Sequence, residues 1–225
     1  MHDEIIATCL AMNEAGLNAG TAGNVSTRNK AGFLITASGV AYESMTSSDI
    51  VQMDLDGGYF GSVLPSSEWR MHMDIYRARP EASAVVHVHA PHATALSCLR
   101  KDVPAFHYMM GVTGGDTLRC SRYAGFGTEE LSQAMLDAIE NRNACLLANH
   151  GMICFGADLA SALALAVEVE TLCQQYILAC QAGEPIVLSD ADMADILKRF
   201  KGYGKQPEEL AEGDTPSFLP PVRRD

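Results

Sequence analysis

Basic residues are scarce: 16 Lys and Arg stand against 28 Asp and Glu, a formal charge of −12 at pH 7. That balance argues against a nucleic-acid partner or an anionic membrane surface, both of which recruit clustered positive charge. Small anions stay open, because a few aimed backbone N–H groups and one metal ion make a locally positive pocket. No Cys-x-x-Cys occurs among the seven scattered cysteines, so neither a disulfide framework nor a zinc ribbon is indicated. Cys98, Cys145, Cys154 and Cys173 lie in apolar patterns and read as small core residues. No apolar run reaches membrane-spanning length free of charge; the longest candidate carries Glu168 and Glu170. No basic-plus-apolar leader opens the chain, and the expectation is a soluble protein of the reducing cytoplasm. None of the glycine turns fits a nucleotide-binding pattern, which excludes a P-loop or dinucleotide fold.

What is present suits one large α/β domain: 225 residues, 48% of them hydrophobic. Helical spacing covers 3–18, 68–78, 128–143 and 158–182, with a last helix from Ser189 to Lys201. Pro91 opens a further short helix to Cys98. Strands are expected at Gly32–Ser38, Ile50–Leu55, around the β-branched run at Val85–Val88, and within Cys145–Phe155. The expected architecture is a three-layer α/β/α sandwich with a mixed, largely antiparallel central sheet. One domain over 1–204 and a mobile, acidic then proline-rich tail over 205–225 complete the organisation.

Val85-Val86-His87-Val88-His89 carries the sharpest chemical signal. Two histidines one residue apart on a strand share a face, so their imidazoles can close on one ion. His150 follows another apolar run, and Glu68 precedes the pair. Neutral imidazoles with an exchangeable position suit a catalytic rather than a structural divalent site, and imidazole donors favour zinc. Three segments suit an anion: the turn Gly20-Thr21-Ala22-Gly23-Asn24, the pair Ser38-Gly39 after a strand, and Ser66-Ser67 at a helix start. His72 reads as a surface or capping residue, and His92, past Pro91, points away from the pair. Arg119 and Arg122 read as solvated. Met109, Met110 and the stripe Leu163–Ala166 read as core.

In order along the chain, Gly20–Ser26, Leu34–Gly39, Pro65–Trp69, Val86–Ala90, His107-Tyr108-Met109, Tyr123–Thr128 and Ala148–Gly151 resemble the class II aldolase/adducin family. The resemblance spans roughly 3–204 and implies a zinc-dependent lyase. Its reaction splits a ketose 1-phosphate, of the L-fuculose 1-phosphate type, into dihydroxyacetone phosphate and an aldehyde through an enediolate. It implies His87, His89 and His150 as metal ligands with Glu68, which also serves as the acid/base carboxylate. It implies Asn24, Ser38, Gly39, Ser66 and Ser67 around the phosphate. It further implies a homotetramer with sites at subunit interfaces, where Tyr108, Phe126, Phe200 and Tyr203 come from the neighbouring subunit. Tyr203, flanked by Gly202 and Gly204, has the backbone freedom to act as a lid or proton donor. Family aldolases often carry Thr-Gly where Ser38-Gly39 stands, and His-His-Gly where Asn149-His150-Gly151 stands. Those departures bear on sugar specificity. Relatives acting on 5-deoxy- or 5-methylthio-ribulose 1-phosphate, or as epimerases, decarboxylases or dehydratases, are the enzymatic alternatives. Glutamate at position 68, where epimerases commonly have Asp, favours the aldolase branch. The intact Glu68, His87, His89 and His150 set disfavours a non-catalytic adducin-like module.

Overall fold

A computed structural model of the chain describes residues 1–200; Tyr203 and the tail from Lys205 lie outside the described residues. Seven strands form one sheet: β1 (Asn24–Asn29), β2 (Gly32–Thr36), β3 (Ile50–Met53), β4 (Tyr59–Phe60), β5 (Ala84–Val88), β6 (Ala144–Leu147) and β7 (Gly151–Gly156). Their order is β4-β3-β2-β1-β5-β7-β6. Every pairing between these strands is antiparallel; the parallel component is one isolated bridge between Cys120 and Leu146.

Helices cover both faces, as the alternation of side chains along the strands dictates. On one face α1 (His2–Glu14), α3 (Pro91–Ser97) and α5 (Leu159–Ala182) pack against Val25, Leu34, Val86, Val88, Met152 and Cys154. On the other, α2 (Trp69–Ala78) and α4 (Glu129–Ile139) pack against Phe33, Ile35, Val51, Val85, Cys145 and Ile153. Helix α6 (Asp190–Phe200) lies on the 3-10 segment Tyr108–Thr113. By length and composition α5 is apolar enough to cross a membrane. Here its buried residues, Ala162, Ala166, Val169, Leu172 and Cys173, meet the sheet and α3. Its Glu170 carboxylate accepts from the backbone N–H groups of His92 and Ala93, both at 2.9 Å, and so caps α3.

The structure revises several expectations. Strand β1 is missing from the sequence reading because Asn-Val-Ser-Thr-Arg-Asn carries no apolar alternation, yet β1 lies mid-sheet with Asn24 and Ser26 buried. The Cys145–Phe155 segment is two strands joined by a turn through Asn149, at φ 54°. Helices α1 and α4 stop short of the expected ends. Cys98 is exposed, although the other three cysteines read as core are buried, and all seven are free. His72 is fully buried rather than at the surface.

Gly151 shows how closely the fold constrains the site. A Cβ there would lie 2.5 Å from the Val88 carbonyl oxygen and 3.0 Å from His89 Cδ2. Gly151→Ala is therefore expected to push β7 off β5 and displace His89, weakening divalent-metal binding by roughly tenfold or more. Metal titration of purified protein measures this, and unchanged affinity would show that the pairing tolerates the methyl group.

Candidate metal centre and active site

Each donor reaches the site by a different structural route. His87 lies on β5 opposite Asn24 of β1 and Ile153 of β7. Its Nδ1–H donates to the Met152 carbonyl at 2.8 Å, leaving Nε2 as the free ligand nitrogen. His89 lies one residue past the end of β5, where its backbone N–H donates to Asn18 Oδ1 at 2.9 Å. His150 ends the β6–β7 turn. Ser97 of α3 fixes that turn: its carbonyl accepts from the Asn149 N–H at 3.1 Å, and its hydroxyl accepts from the His150 N–H at 3.3 Å. Glu68 precedes α2, and its N–H donates to Ser66 Oγ at 3.3 Å.

These four side chains converge, their ligand atoms all within 4.8 Å of one another. The three imidazoles meet edge to face at centroid separations of 4.8 to 5.0 Å. His87 Nε2 is 3.1 Å from His89 Nε2 and 3.0 Å from Glu68 Oε2. His150 Nε2 is 3.1 Å from Glu68 Oε1. Ligands about 2.0–2.1 Å from a tetrahedral zinc ion sit about 3.3 Å from each other, so these separations fit one small divalent cation. Glu68 Oε1 is buried without a properly formed hydrogen bond, as expected of a carboxylate oxygen meant for a metal. His92 takes no part; its Nδ1 pairs with Glu170 at 2.7 Å.

The donor set is electrostatically tense. Burial works against ionisation of Glu68, but a charge on His87 and the close imidazole nitrogens of His150 and His87 outweigh it. The carboxyl is held far below the usual carboxylate range. Burial also opposes a charge on His87, yet Glu68 and the Met152 carbonyl raise its affinity for a proton. His89, pressed by burial and then by its neighbours His87 and His150, is pushed down to about 4. One cation shared by all four donors relieves this conflict.

Next to the donors opens a cleft of about 350 Å³, which gathers the anion-binding candidates from three separate loops. Asn24, Ser38, Gly39, Ser66, Ser67 and Phe126 line it with Glu68, His89 and His150. The backbone N–H groups of Gly39 and Ser67 have no acceptor among the described residues. Sequence reasoning missed Tyr123 and Asn149 as lining residues, and Arg100 behind them. Arg100 Nε donates to Asn149 Oδ1 at 2.6 Å, and its guanidinium lies 5.1 Å from the Tyr123 ring centroid. No sequence pattern marks that contact. Tyr108 and Phe200 are not in the cleft; they line another groove with Leu188 and Ile196. Arg119 and Arg122 hold the Glu140 carbonyl and Asp137, as solvated residues do.

Burial pushes the His72 imidazole down to about 3. An unfolded histidine binds a proton near pH 6.5, so below that pH the unfolded chain takes up protons that folded His72 and His89 refuse. Stability then falls as the pH falls, down to the folded values. Calorimetry in chelator should show Tm declining from about pH 7 to about pH 4.5, with a shallower decline for His72→Gln. Identical slopes would remove His72 from the linkage.

Residues 3–177 match the family model described as Class II Aldolase and Adducin N-terminal domain. The L-fuculose phosphate aldolase of Escherichia coli K12 is 50% identical over 207 residues, 92% of this chain and 96% of the relative. The 5-methylthioribulose-1-phosphate/5-deoxyribulose-1-phosphate aldolase of Rhodospirillum rubrum is 51% identical over 189 residues, 84% of this chain and 86% of the relative. A solved L-fuculose 1-phosphate aldolase superposes with a TM-score of 0.86 at 40% identity, covering 89% of this chain and 95% of that one. The donor set, the fold and these relatives agree: the chain belongs to the class II aldolase and adducin family and is an aldolase, a metal-dependent lyase.

Proposed function

We propose that the enzyme is a zinc-dependent aldolase of the cytoplasm that cleaves a ketose 1-phosphate to dihydroxyacetone phosphate and an aldehyde. The observation that carries this reading is the cleft itself, which places a three-imidazole, one-carboxylate centre beside a lobe of hydroxyls and unpaired N–H groups. In this reading the N–H groups of Gly39 and Ser67, the hydroxyls of Ser38 and Ser66, and the Asn24 amide grip the phosphate. Binding energy gained there holds the reacting carbons against Glu68. When bound by His87, His89, His150 and Glu68, a zinc ion supplies Lewis acidity that stabilises the negative charge left by carbon–carbon cleavage. Cleavage between C3 and C4 releases the C4 hydroxyl proton as the aldehyde forms, and one proton returns to C3; the Glu68 carboxylate takes up a proton at that moment and passes it to C3. In a homotetramer Tyr108 of a neighbouring subunit takes the C4 hydroxyl proton while its own phenolic proton passes to water, and Tyr203 of that neighbour closes over the site as a lid or proton donor. Phe126, with Phe200 of the neighbour, covers the aldehyde end. That Tyr108 and Phe200 line a separate groove and not the cleft of their own chain supports the shared-site arrangement.

L-fuculose 1-phosphate leads the substrate candidates, with 5-deoxy- and 5-methylthio-ribulose 1-phosphate next. All three join a 1-phosphate to an apolar far end, which suits a polar lobe opposite the exposed rings of Tyr123 and Phe126.

Dihydroxyacetone phosphate release should be followed over those three sugars and ribulose 5-phosphate. Release from at least one 1-phosphate and none from the 5-phosphate is expected, with turnover abolished by chelation and restored by zinc. Glu68→Gln should lower turnover by about 10²–10⁴-fold. Epimerisation of ribulose 5-phosphate without cleavage of any 1-phosphate would replace this reading with the epimerase.

Subunit sharing has its own test. Glu68→Gln and Tyr108→Phe proteins, each impaired alone, should regain activity when unfolded and refolded together, since some sites then draw both intact residues. Mixed protein no more active than its parents would place each site within one chain.

A further inference from the structure

A polar chain runs from the metal centre into the interior, and the chemistry above uses only its outer end. Asn24 Nδ2 donates to Glu68 Oε2 at 3.1 Å. Asn24 Oδ1 lies 2.5 Å from His72 Nε2. His72 Nδ1 lies 2.7 Å from Ser26 Oγ, and Ser26 Oγ lies 2.7 Å from the Tyr76 hydroxyl. His72, Ser26 and Tyr76 are at most 2% exposed.

The register of two elements builds this chain. Glu68 at the cap of α2 and His72 and Tyr76 on it stand four apart, one above the next on one face. Asn24 and Ser26 stand two apart on one face of β1. Four helical residues rise about 6 Å and two strand residues about 6.6 Å, so the two polar ladders interlock without slipping.

Chemistry also fixes the direction of every bond. A carboxylate accepts only, so the Asn24 NH₂ must face Glu68 and its carbonyl must face His72. That carbonyl likewise only accepts, so His72 must carry a proton on Nε2. Burial keeps the ring neutral, so Nδ1 accepts from the Ser26 hydroxyl, and Ser26 accepts from Tyr76. All donors point toward Glu68.

We propose that His72 is a positioning residue for Glu68: through a one-way hydrogen-bond chain with Ser26 and Tyr76, it locks the Asn24 amide with an N–H aimed at the Glu68 carboxylate. The inference rests on Glu68 acting at the reacting carbon. The second Asn24 N–H remains for the substrate anion, so His72 aligns the proton-transfer group and the phosphate lobe together.

Two measurements test this. Nitrogen-15 NMR of histidine-labelled full-length protein should show His72 neutral with its proton on Nε2; a proton on Nδ1 would overturn the proposal. In turnover assays His72→Leu should lower kcat roughly 10–100-fold, with a smaller, several-fold rise in KM as the Asn24 amide loosens on the substrate anion. His72→Gln should recover most of that loss, because a carboxamide both donates to Asn24 and accepts from Ser26. A folded His72→Leu enzyme with normal kcat, or equal losses in the Leu and Gln variants, would reduce His72 to a packing residue. Where His72→Leu does not fold, Ser26→Ala breaks one link and should lower kcat several-fold; unchanged kcat would overturn the chain. Should the wild-type protein cleave none of the sugars, the aldolase reading fails, and the His72 tautomer still decides the inference.

Discussion

A buried carboxylate sets the terms for the rest of this molecule. Glu68 is only 8% exposed, and an ionised group so placed is costly unless opposite charge and hydrogen bonds surround it. The surroundings come from three places: His87 on β5, His150 on a turn held by α3, and Asn24 on β1. None is within a helical turn of another or of Glu68. The antiparallel β1–β5–β7 core is therefore what makes the site, because its register sets Asn24 against His87 and His87 against Ile153. A one-residue slip of either pairing would turn the donors toward opposite faces.

In the proposed function, anion binding works without a cationic side chain. No Lys or Arg lines the cleft among the described residues, and the chain as a whole is acidic. Attraction must come from oriented dipoles, namely the N–H groups at the start of α2 and after β2, together with the charge of a bound metal. Holding the phosphate this way leaves the cleft specific for an anion that sits close. A long-range basic field would instead draw in nucleic acid.

Much of the candidate site was legible in short local patterns, each weak alone and specific only in their order along the chain. His-x-His in a β-branched run, Ser-Ser before a helix and a glycine turn ending in Asn each carry a local reason. Cleft geometry then joined them, which the separate motifs had no means to show. Strand β1 was not legible, since its polar residues are buried by virtue of their partners rather than their hydrophobicity. His72 was misread for the same reason: beside Asp74 and Arg70 it looks like part of a solvated face. A signal was present in Glu68, His72 and Tyr76 at successive helical turns opposite Asn24 and Ser26 at strand spacing. Neither ladder means anything alone. The proposed role of Tyr108 and Phe200 at a neighbouring subunit's site rests on family resemblance, because no local pattern distinguishes an aromatic that serves a neighbour from one that packs at home.

Polar burial in β1 thus has a physical purpose that its sequence conceals. A hydrophobic strand at this position would pack better against α2 and would strengthen the sheet. It would leave Glu68 with no donor beside the metal and the α2 face with no polar partner. Stability given up at Asn24, Ser26 and His72 is returned as a fixed orientation of one carboxylate, and the acid sensitivity of buried His72 is the cost that remains. A positioning network of this kind must be complete to be tolerated, since removing one member leaves a buried polar atom of its neighbour without a partner.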